Sequence, residues 1–385
     1  MKILYDHQIF TWQNYGGISR YFCELMNQFI SSPGVDFRLA LRYSQNEHLH
    51  QNPQVNPFCT QRNDFFSDSR FFSALQKKIH INVLNHIFNN QHESVKQLKA
   101  QDFDLFHPTY YDPYFLKHLG KKPYVLTIYD MIHEIIPDTF DKNDLTRNRK
   151  KTLADNAKKI IAISDNTKKD IVKYLNIPED KIQVIYLADS LSLMKNTSPS
   201  KVPDSIRVPE KYLLFVGNRS GYKNFSFLLE ALFSVLKKNK NLHIICAGGG
   251  FFSDSEKNLM RKMDVIARTH YYSADDATLP YLYKNAYAFV FPSLYEGFGI
   301  PVLEAFSCGC PTILSNTSSL PEVGGDAALY FDPVDMTSLN IAVEQILSDE
   351  NLREDLITKG CSRSKLFSWE KTASMTKKVY EIASQ

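Results

Sequence analysis

The chain predicts an α/β protein built from two doubly wound domains, and three observations carry this. Short apolar runs alternate with helical patterns along the sequence. That alternation stops once and then restarts. The length of 385 residues fits two domains at roughly 100–200 residues each.

The first series of expected strands starts with KILYDH at the N-terminus. It continues with DFRLALRY at 36–43, LFHPTY at 105–110, PYVLTIYD at 123–130, KIIAIS at 159–164 and IQVIYL at 182–187. Helical patterns over 18–30 and 165–175 lie between them. Strands alternating with helices imply parallel sheets covered on both faces. Residues 190–211 are rich in Ser, Pro and Lys, the composition of a linker. The second series is YLLFVG (212–217), a helix near 225–238, LHIICAG (242–248), a helix near 255–263, ARTHYY (267–272), AYAFVFPS (286–293), a helix near 301–308 and PTILSN (311–316). The closing segment places Trp369, Ala373, Thr376 and Tyr380 at helical spacing.

Composition narrows the function. The chain is 43% hydrophobic and 23% charged, with a formal charge of +3. That balance does not point to a nucleic-acid partner, though it tolerates an anionic ligand or a membrane face. The cysteines Cys23, Cys59, Cys246, Cys308, Cys310 and Cys361 form no CxxC pair, so free thiols in a reducing compartment are expected. The opening MKILYDH reaches Asp6 at once, so no signal-peptide core is expected there. No apolar run is long enough to span a bilayer. The expected location is the cytoplasm.

Open parallel sheets bind ligands beyond the carboxyl ends of their strands, so the loops there hold the candidate sites. Gly16 and Gly17 follow the first strand and precede a helix. They read either as a plain turn or as a backbone approach to an anion. VGNRSGYKNF (216–225) sets Arg219 and Lys223 four apart around a turn. A guanidinium fork and an ammonium together suit a diphosphate; the alternative is a solvated basic turn. LYEGFGIPVLEAFSCG turns at Gly297 and Gly299 and starts a helix at Pro301. Glu296 sits at that turn and Glu304 one turn inside the helix, so both can reach one ligand from different sides. Otherwise Glu304 complements the helix dipole and Glu296 is a solvated loop acid. His107, Asp130 and His133 lie at the carboxyl ends of neighbouring strands. The pair Asp102 and Asp104 precedes its strand and reads as an exposed lead-in rather than a metal site. Asp275 and Asp276 read as a solvated loop.

These motifs together resemble the GT-B glycosyltransferases of family 4. The resemblance rests on EGFGIPVLEA with its continuation SCGCPTILSNTSSLPEVGGDAALYFDP, on GNRSGYKN, on YGGISRY, on ISDNTKKDIVKYLNIPEDKIQVIYLAD and on FSWEKTA, which together span nearly the whole chain.

The resemblance implies two Rossmann-like domains facing a central cleft. An acceptor domain would cover 1–195 and a nucleotide-sugar domain 205–367. A closing helix at 368–385 would cross back to the first domain. It implies that Arg219 and Lys223 hold the donor diphosphate, that Glu304 binds the ribose hydroxyls and that Glu296 contacts the transferred sugar. Asp130 and His133 complete the expected catalytic set. Gly16, Gly17, Asn218, Phe298, Gly299, Ile300 and His107 complete the donor-binding set. The family's usual His-Asp pair reads Tyr129-Asp130 here, and His133 stands three residues on as a substitute. The implied reaction is retaining and metal-independent, without a cofactor. It moves a sugar, best matched by mannose from GDP-mannose with UDP-sugars next, to a glycan or lipid-linked hydroxyl in surface polysaccharide synthesis. A sugar-nucleotide epimerase and a non-catalytic sugar-nucleotide-binding module are the rival readings.

Residues 65–99 carry an apolar stripe of Phe72, Leu75, Ile79, Val83 and Ile87 with Lys77 and Lys78 beside it. The stripe reads either as a helix packed on its own domain or as a contact with the inner face of the plasma membrane.

Overall fold

The computed structural model describes residues 1–56, 89–191, 208–219, 221–273 and 278–385. The stripe over 65–88, most of the linker, and Asp275 with Asp276 lie outside these residues.

The first half builds β1 (Lys2–Tyr5), α1 (Gln8–Trp12), α2 (Gly17–Ile30), β2 (Asp36–Leu39), α3 (Glu47–Gln51), a helical stretch α4 over 89–100, β3 (Leu105–His107) and β4 (Val125–Ile128). Then come α5 (Ile132–Ile135), α6 (Thr146–Asn156), β5 (Lys159–Ala162), α7 (Asp165–Leu175) and β6 (Ile182–Val184). All pairings are parallel, in the orders β2-β1-β3 and β4-β5-β6. A single parallel bridge between Phe106 and Tyr124 joins the two sets. Every residue of β3 and β4 is buried, as expected of a parallel strand covered on both faces. Helix α7 begins and ends on its local chemistry. The Ser164 hydroxyl accepts from the Thr167 amide, and Asn176 closes the helix in the left-handed region at φ 53°.

The second half builds one six-stranded parallel sheet in the order β12-β11-β10-β7-β8-β9. Its strands are β7 (Tyr212–Val216), β8 (His243–Ala247), β9 (Thr269–Tyr272), β10 (Ala288–Phe291), β11 (Thr312–Ser315) and β12 (Leu329–Phe331). The helices are α8 (Phe225–Lys238), α9 (Asp254–Lys262), α10 (Leu279–Asn285), α11 (Ile300–Ser307), α12 (Leu320–Gly324), α13 (Met336–Ser348) and α14 (Glu350–Ser364). Successive strand residues point to opposite faces, and the core divides accordingly. Leu213, Phe215, Ile244 and Cys246 share one cluster with α8 and α13. Leu214, Val216, Ile245 and Ala247 join α10, α11 and α12 on the other face.

The expected elements are present, with shorter strands. Helices α6, α10, α13 and α14 and strand β12 were not anticipated. Asp335 and Asp349 were the available signals, since their side chains cap α13 and α14.

Helix α15 (Trp369–Ala383) starts on Ser368, whose side chain accepts from the Lys371 amide. It buries Trp369, Thr372, Ala373, Thr376, Val379, Tyr380 and Ala383 along one stripe. That stripe packs on α2 and touches β4 and β5. Burying a Trp or Tyr removes about 150–250 Å², an upper estimate of about 4–6 kcal/mol each. The chain's last helix therefore holds its first domain. No described helix is long and apolar enough to cross a membrane.

Candidate active site

The two sheets meet along a seam at the carboxyl ends of their strands. Gly297 lies at its centre. Its carbonyl accepts from the Ser164 hydroxyl at 2.7 Å and the Thr167 hydroxyl at 3.1 Å. A Cβ on Gly297 would overlap the Tyr129 carbonyl oxygen, so only glycine fits this approach. Beside it, the Glu322 carboxylate accepts from the amides of Asp165 (2.7 Å) and Asn166 (3.1 Å) at the start of α7. A carboxylate is favoured at a helix N-terminus. The two halves therefore touch through specific polar groups, and the cleft is closed around the turn before α11.

That turn is held from below. The Ser319 hydroxyl sits 2.9 Å from both the Glu296 and Phe298 carbonyls, and the Ser318 hydroxyl accepts from the Glu296 amide at 2.9 Å. Gly299 takes φ 104° to start α11. The Phe298 side chain is buried against Tyr186 and Phe367, so only its backbone can serve a ligand. Ile300 opens α11, and a Cβ added to Gly17 would lie 3.7 Å from its Cδ1 atom, an ordinary van der Waals contact. Gly16 precedes α2, and its carbonyl accepts from the Arg20 amide at 3.0 Å.

Lys223 and Glu296 come from separate loops and meet. Lys223 ends a short 3₁₀ turn after β7, and its Nζ donates to Glu296 Oε1 at 2.6 Å. Both side chains are mostly buried. The Leu294 amide donates to the Tyr222 carbonyl at 2.8 Å and ties the loops together.

Glu304 lies in the second turn of α11, 7% exposed. Its Oε2 accepts from the Tyr283 hydroxyl at 3.1 Å. Its Oε1 lies 3.9 Å from Arg20 Nη1, reaching across the seam from α2. It is therefore not a first-turn acid serving the helix dipole. Arg20 was missed in the sequence. The available signal was its place four residues past Gly16, on the first turn of α2.

Arg219 departs from its expected posture. Its Nε donates to Glu256 at 2.7 Å, its Nη1 to the Gly248 carbonyl at 2.8 Å and its Nη2 to the Gly250 and Phe251 carbonyls at 2.8 and 3.1 Å. The fork is committed to the β8–α9 loop rather than offered to a diphosphate, because that loop turns its carbonyls inward through three left-handed glycines, Gly248, Gly249 and Gly250. Burial raises the Glu256 pKa, but hydrogen bonds from Arg219 and Ser253 outweigh it and leave it below the usual value. Asn218 next to it is exposed.

On the first domain, Asp130 follows β4. Its Oδ1 accepts from the Ile132 amide at 3.1 Å. Its carbonyl accepts from Lys150 Nζ at 2.9 Å, and the same ammonium donates to Glu134 at 2.9 Å. Lys150 is fully buried. His133 stacks on Phe140 at 3.9 Å, and its Nε2 lies 3.5 Å from Asp144. Burial, helped by the Lys150 charge, lowers its pKa. Tyr129 points inward, donating from its hydroxyl to the Thr109 carbonyl at 3.2 Å.

His107 is a correction. It is fully buried, with Nδ1 2.6 Å from the Tyr380 hydroxyl and Nε2 2.9 Å from the Thr127 hydroxyl. It belongs to the core under α15 and does not reach the cleft. The Asp102–Asp104 lead-in is as expected: Lys2 donates to both carboxylates from its Nζ and its amide.

Two parallel-sheet domains closing over a glycine-rich turn define the GT-B class of protein. Comparison with known proteins agrees. The model for glycosyl transferases group 1 matches residues 200–363, and that for glycosyltransferase family 4 matches residues 15–188. The chain is 28% identical over 375 residues to O-antigen chain mannosyltransferase B of Escherichia coli, covering 95% of this chain and 96% of that one. Among solved structures, sucrose-phosphate synthase of Thermosynechococcus elongatus superposes with a TM-score of 0.73 at 19% identity, covering 99% and 98% of the two chains. HepE of Anabaena, in complex with UDP-glucose, gives 0.72 at 15% identity, covering 99% of each. The chain belongs to the GT-B glycosyltransferases of group 1, family 4.

Proposed function

We propose that this glycosyltransferase moves mannose, with retention of configuration, from GDP-mannose to a hydroxyl of a glycan or lipid-linked acceptor in surface-polysaccharide synthesis. The observation that carries the chemistry is the Lys223–Glu296 pair at the closed glycine turn. The choice of sugar is supported by the similarity to an O-antigen mannosyltransferase along nearly the whole chain.

The donor diphosphate lies over the turn at Phe298 and Gly299, and the Lys223 ammonium faces it. In the reaction the bond from the anomeric carbon to the diphosphate oxygen breaks, and negative charge builds on that oxygen. Lys223 and the turn amides stabilise this charge in a site closed to water. The acceptor oxygen bonds to the anomeric carbon on the face the diphosphate leaves, and its proton passes to the departing phosphate. Glu296 orients both the ammonium and the sugar, Glu304 binds the ribose hydroxyls and Asp130 faces the reacting centre. Arg219 supports the donor loop from behind. Because Lys223 and the amides supply the positive charge, no metal takes part in this scheme. The enzyme works in the cytoplasm.

Thermal unfolding in the presence of GDP, UDP and their sugars tests the donor. Stabilisation by GDP-mannose above the rest is expected. A product assay follows, in which mannose leaves the donor only when an acceptor glycan is present and EDTA has no effect. Conversion of the donor to another sugar nucleotide without acceptor would replace this reading by an epimerase.

A further inference from the structure

The acceptor side of the cleft exposes aromatic surface to solvent. Trp12 ends α1 and is 44% exposed, and Tyr15 in the following loop is 46% exposed. Large aromatic side chains are normally buried for most of their area. The Trp12 ring meets Tyr110 edge to face, with centroids 5.5 Å apart. Tyr110 is backed in turn by Tyr111 at 4.7 Å. Tyr110 is itself only half-buried.

Position decides what this surface can meet. Trp12 follows β1, Tyr110 follows β3 and Asp130 follows β4, and these strands are neighbours in the order β1-β3-β4. All three groups therefore stand at adjacent carboxyl ends, where α/β sheets bind ligands. Gly17, the first residue of α2 just past Trp12 and Tyr15, faces Ile300 of the second domain, so that a Cβ added there would stand 3.7 Å from the Ile300 Cδ1 atom. The platform thus begins beside the turn that holds Glu296 and extends away from it. The charges of Asp130 and Asp144, after burial, help to push the Tyr110 hydroxyl up to about 12, so that hydroxyl stays protonated and able to donate.

We propose that Trp12 and Tyr110 form a stacking platform for the pyranose ring of the acceptor, which makes the acceptor a sugar rather than a bare lipid phosphate or alcohol. A pyranose presents an apolar face of axial C–H groups and an edge of hydroxyls. The rings take the face, and the Tyr110 hydroxyl and Asp130 take the edge. This inference rests on the transferase reading above and adds the acceptor class to it.

Two tryptophans make the test direct. Trp369 is buried, so only Trp12 reports on solvent. Hexyl α-D-mannopyranoside and hexyl β-D-N-acetylglucosaminide serve as probes, with hexanol phosphate as the control. At least one glycoside is expected to shift the exposed-tryptophan emission saturably, while the control leaves it unchanged. Trp12→Phe should abolish the emission change. Trp12→Ala and Tyr110→Ala should weaken glycoside binding, followed by saturation-transfer NMR, at least tenfold. Their nucleoside-diphosphate stabilisation should stay that of the wild type, which separates the loss of glycoside binding from the lower melting temperature expected on truncating the packed Tyr110 ring. Equal glycoside affinity in wild type and both alanine variants overturns the platform, as does binding of hexanol phosphate alone or of no probe. Loss of nucleotide stabilisation in the wild type would sink the transferase reading instead, and the glycoside titration is independent of it.

Discussion

Lys223 and Glu296 lie 73 positions apart in the chain and meet as an ion pair at 2.6 Å. The contact ties the first loop of the second domain to the turn before α11. In the proposed reaction, removing the ammonium takes away the charge set against the leaving diphosphate. Lys223→Met should lower kcat by about 10²–10³-fold, the usual effect of losing one preorganised stabilising donor. Glu296→Gln should cost less, because the ammonium stays. Steady-state kinetics with a fixed acceptor checks both. A loss below threefold in Lys223→Met would remove Lys223 from the site.

Arg219 is the second case, and its effect should be on stability. Its side chain is 3% exposed and bonded to Glu256. Truncation leaves Glu256 with only its Ser253 hydrogen bonds, strips its charge partner, and leaves the Gly248, Gly250 and Phe251 carbonyls without the guanidinium. Arg219→Met should destabilise the second domain by about 3–5 kcal/mol, read from denaturant midpoints. Arg219→Lys should fall nearly as far, since one ammonium cannot replace a fork. If Arg219→Met melted like the wild type but lost donor binding, the guanidinium would be a direct ligand after all.

Gly297 tests closure. Alanine there has to displace the Tyr129 backbone. Gly297→Ala should leave each domain folded but hold the cleft open. Small-angle scattering should give a larger radius of gyration, and transfer should drop at least tenfold. An unchanged radius with full activity would show that the seam yields without cost.

His107 sets a pH dependence. Burial lowers its pKa to about 3, against about 6.5 in an unfolded chain. Below pH 6.5 the unfolded state takes up a proton that the folded state refuses. Its contribution is therefore complete above pH 6.5 and lost as pH falls toward 3, at up to about 1.4 kcal/mol per pH unit. His107→Gln should flatten the acid limb of stability against pH by that slope. Parallel limbs in the two proteins would show that the imidazole takes up its proton within the folded state.

Much of this was legible beforehand. Period and turn chemistry placed the strands and α15, because burial on a parallel sheet demands continuous apolar runs and helices start on capping side chains. The spacing of Glu296, Gly297, Gly299 and Glu304 marked the turn between β10 and α11, since a tight turn between a buried strand and a helix needs those glycines. The missed helices α6, α13 and α14 are amphipathic only weakly; Asp335 and Asp349 cap α13 and α14, while α6 starts without a side-chain cap and offered no such signal.

Side-chain type by itself determined which residues could bind an anion or hold a proton. Only the tertiary structure decided which of them do so together. His107 and His133 are the same residue type, each just beyond or at the end of a strand region, yet one is sealed under Tyr380 and the other stacks near Asp144. Arg219 and Lys223 share a loop, yet one turns into carbonyls and the other toward Glu296. Charge and hydrogen-bonding capacity belong to the residue. Direction, burial and partner come from packing between segments far apart in the chain, and spacing along the sequence does not encode them.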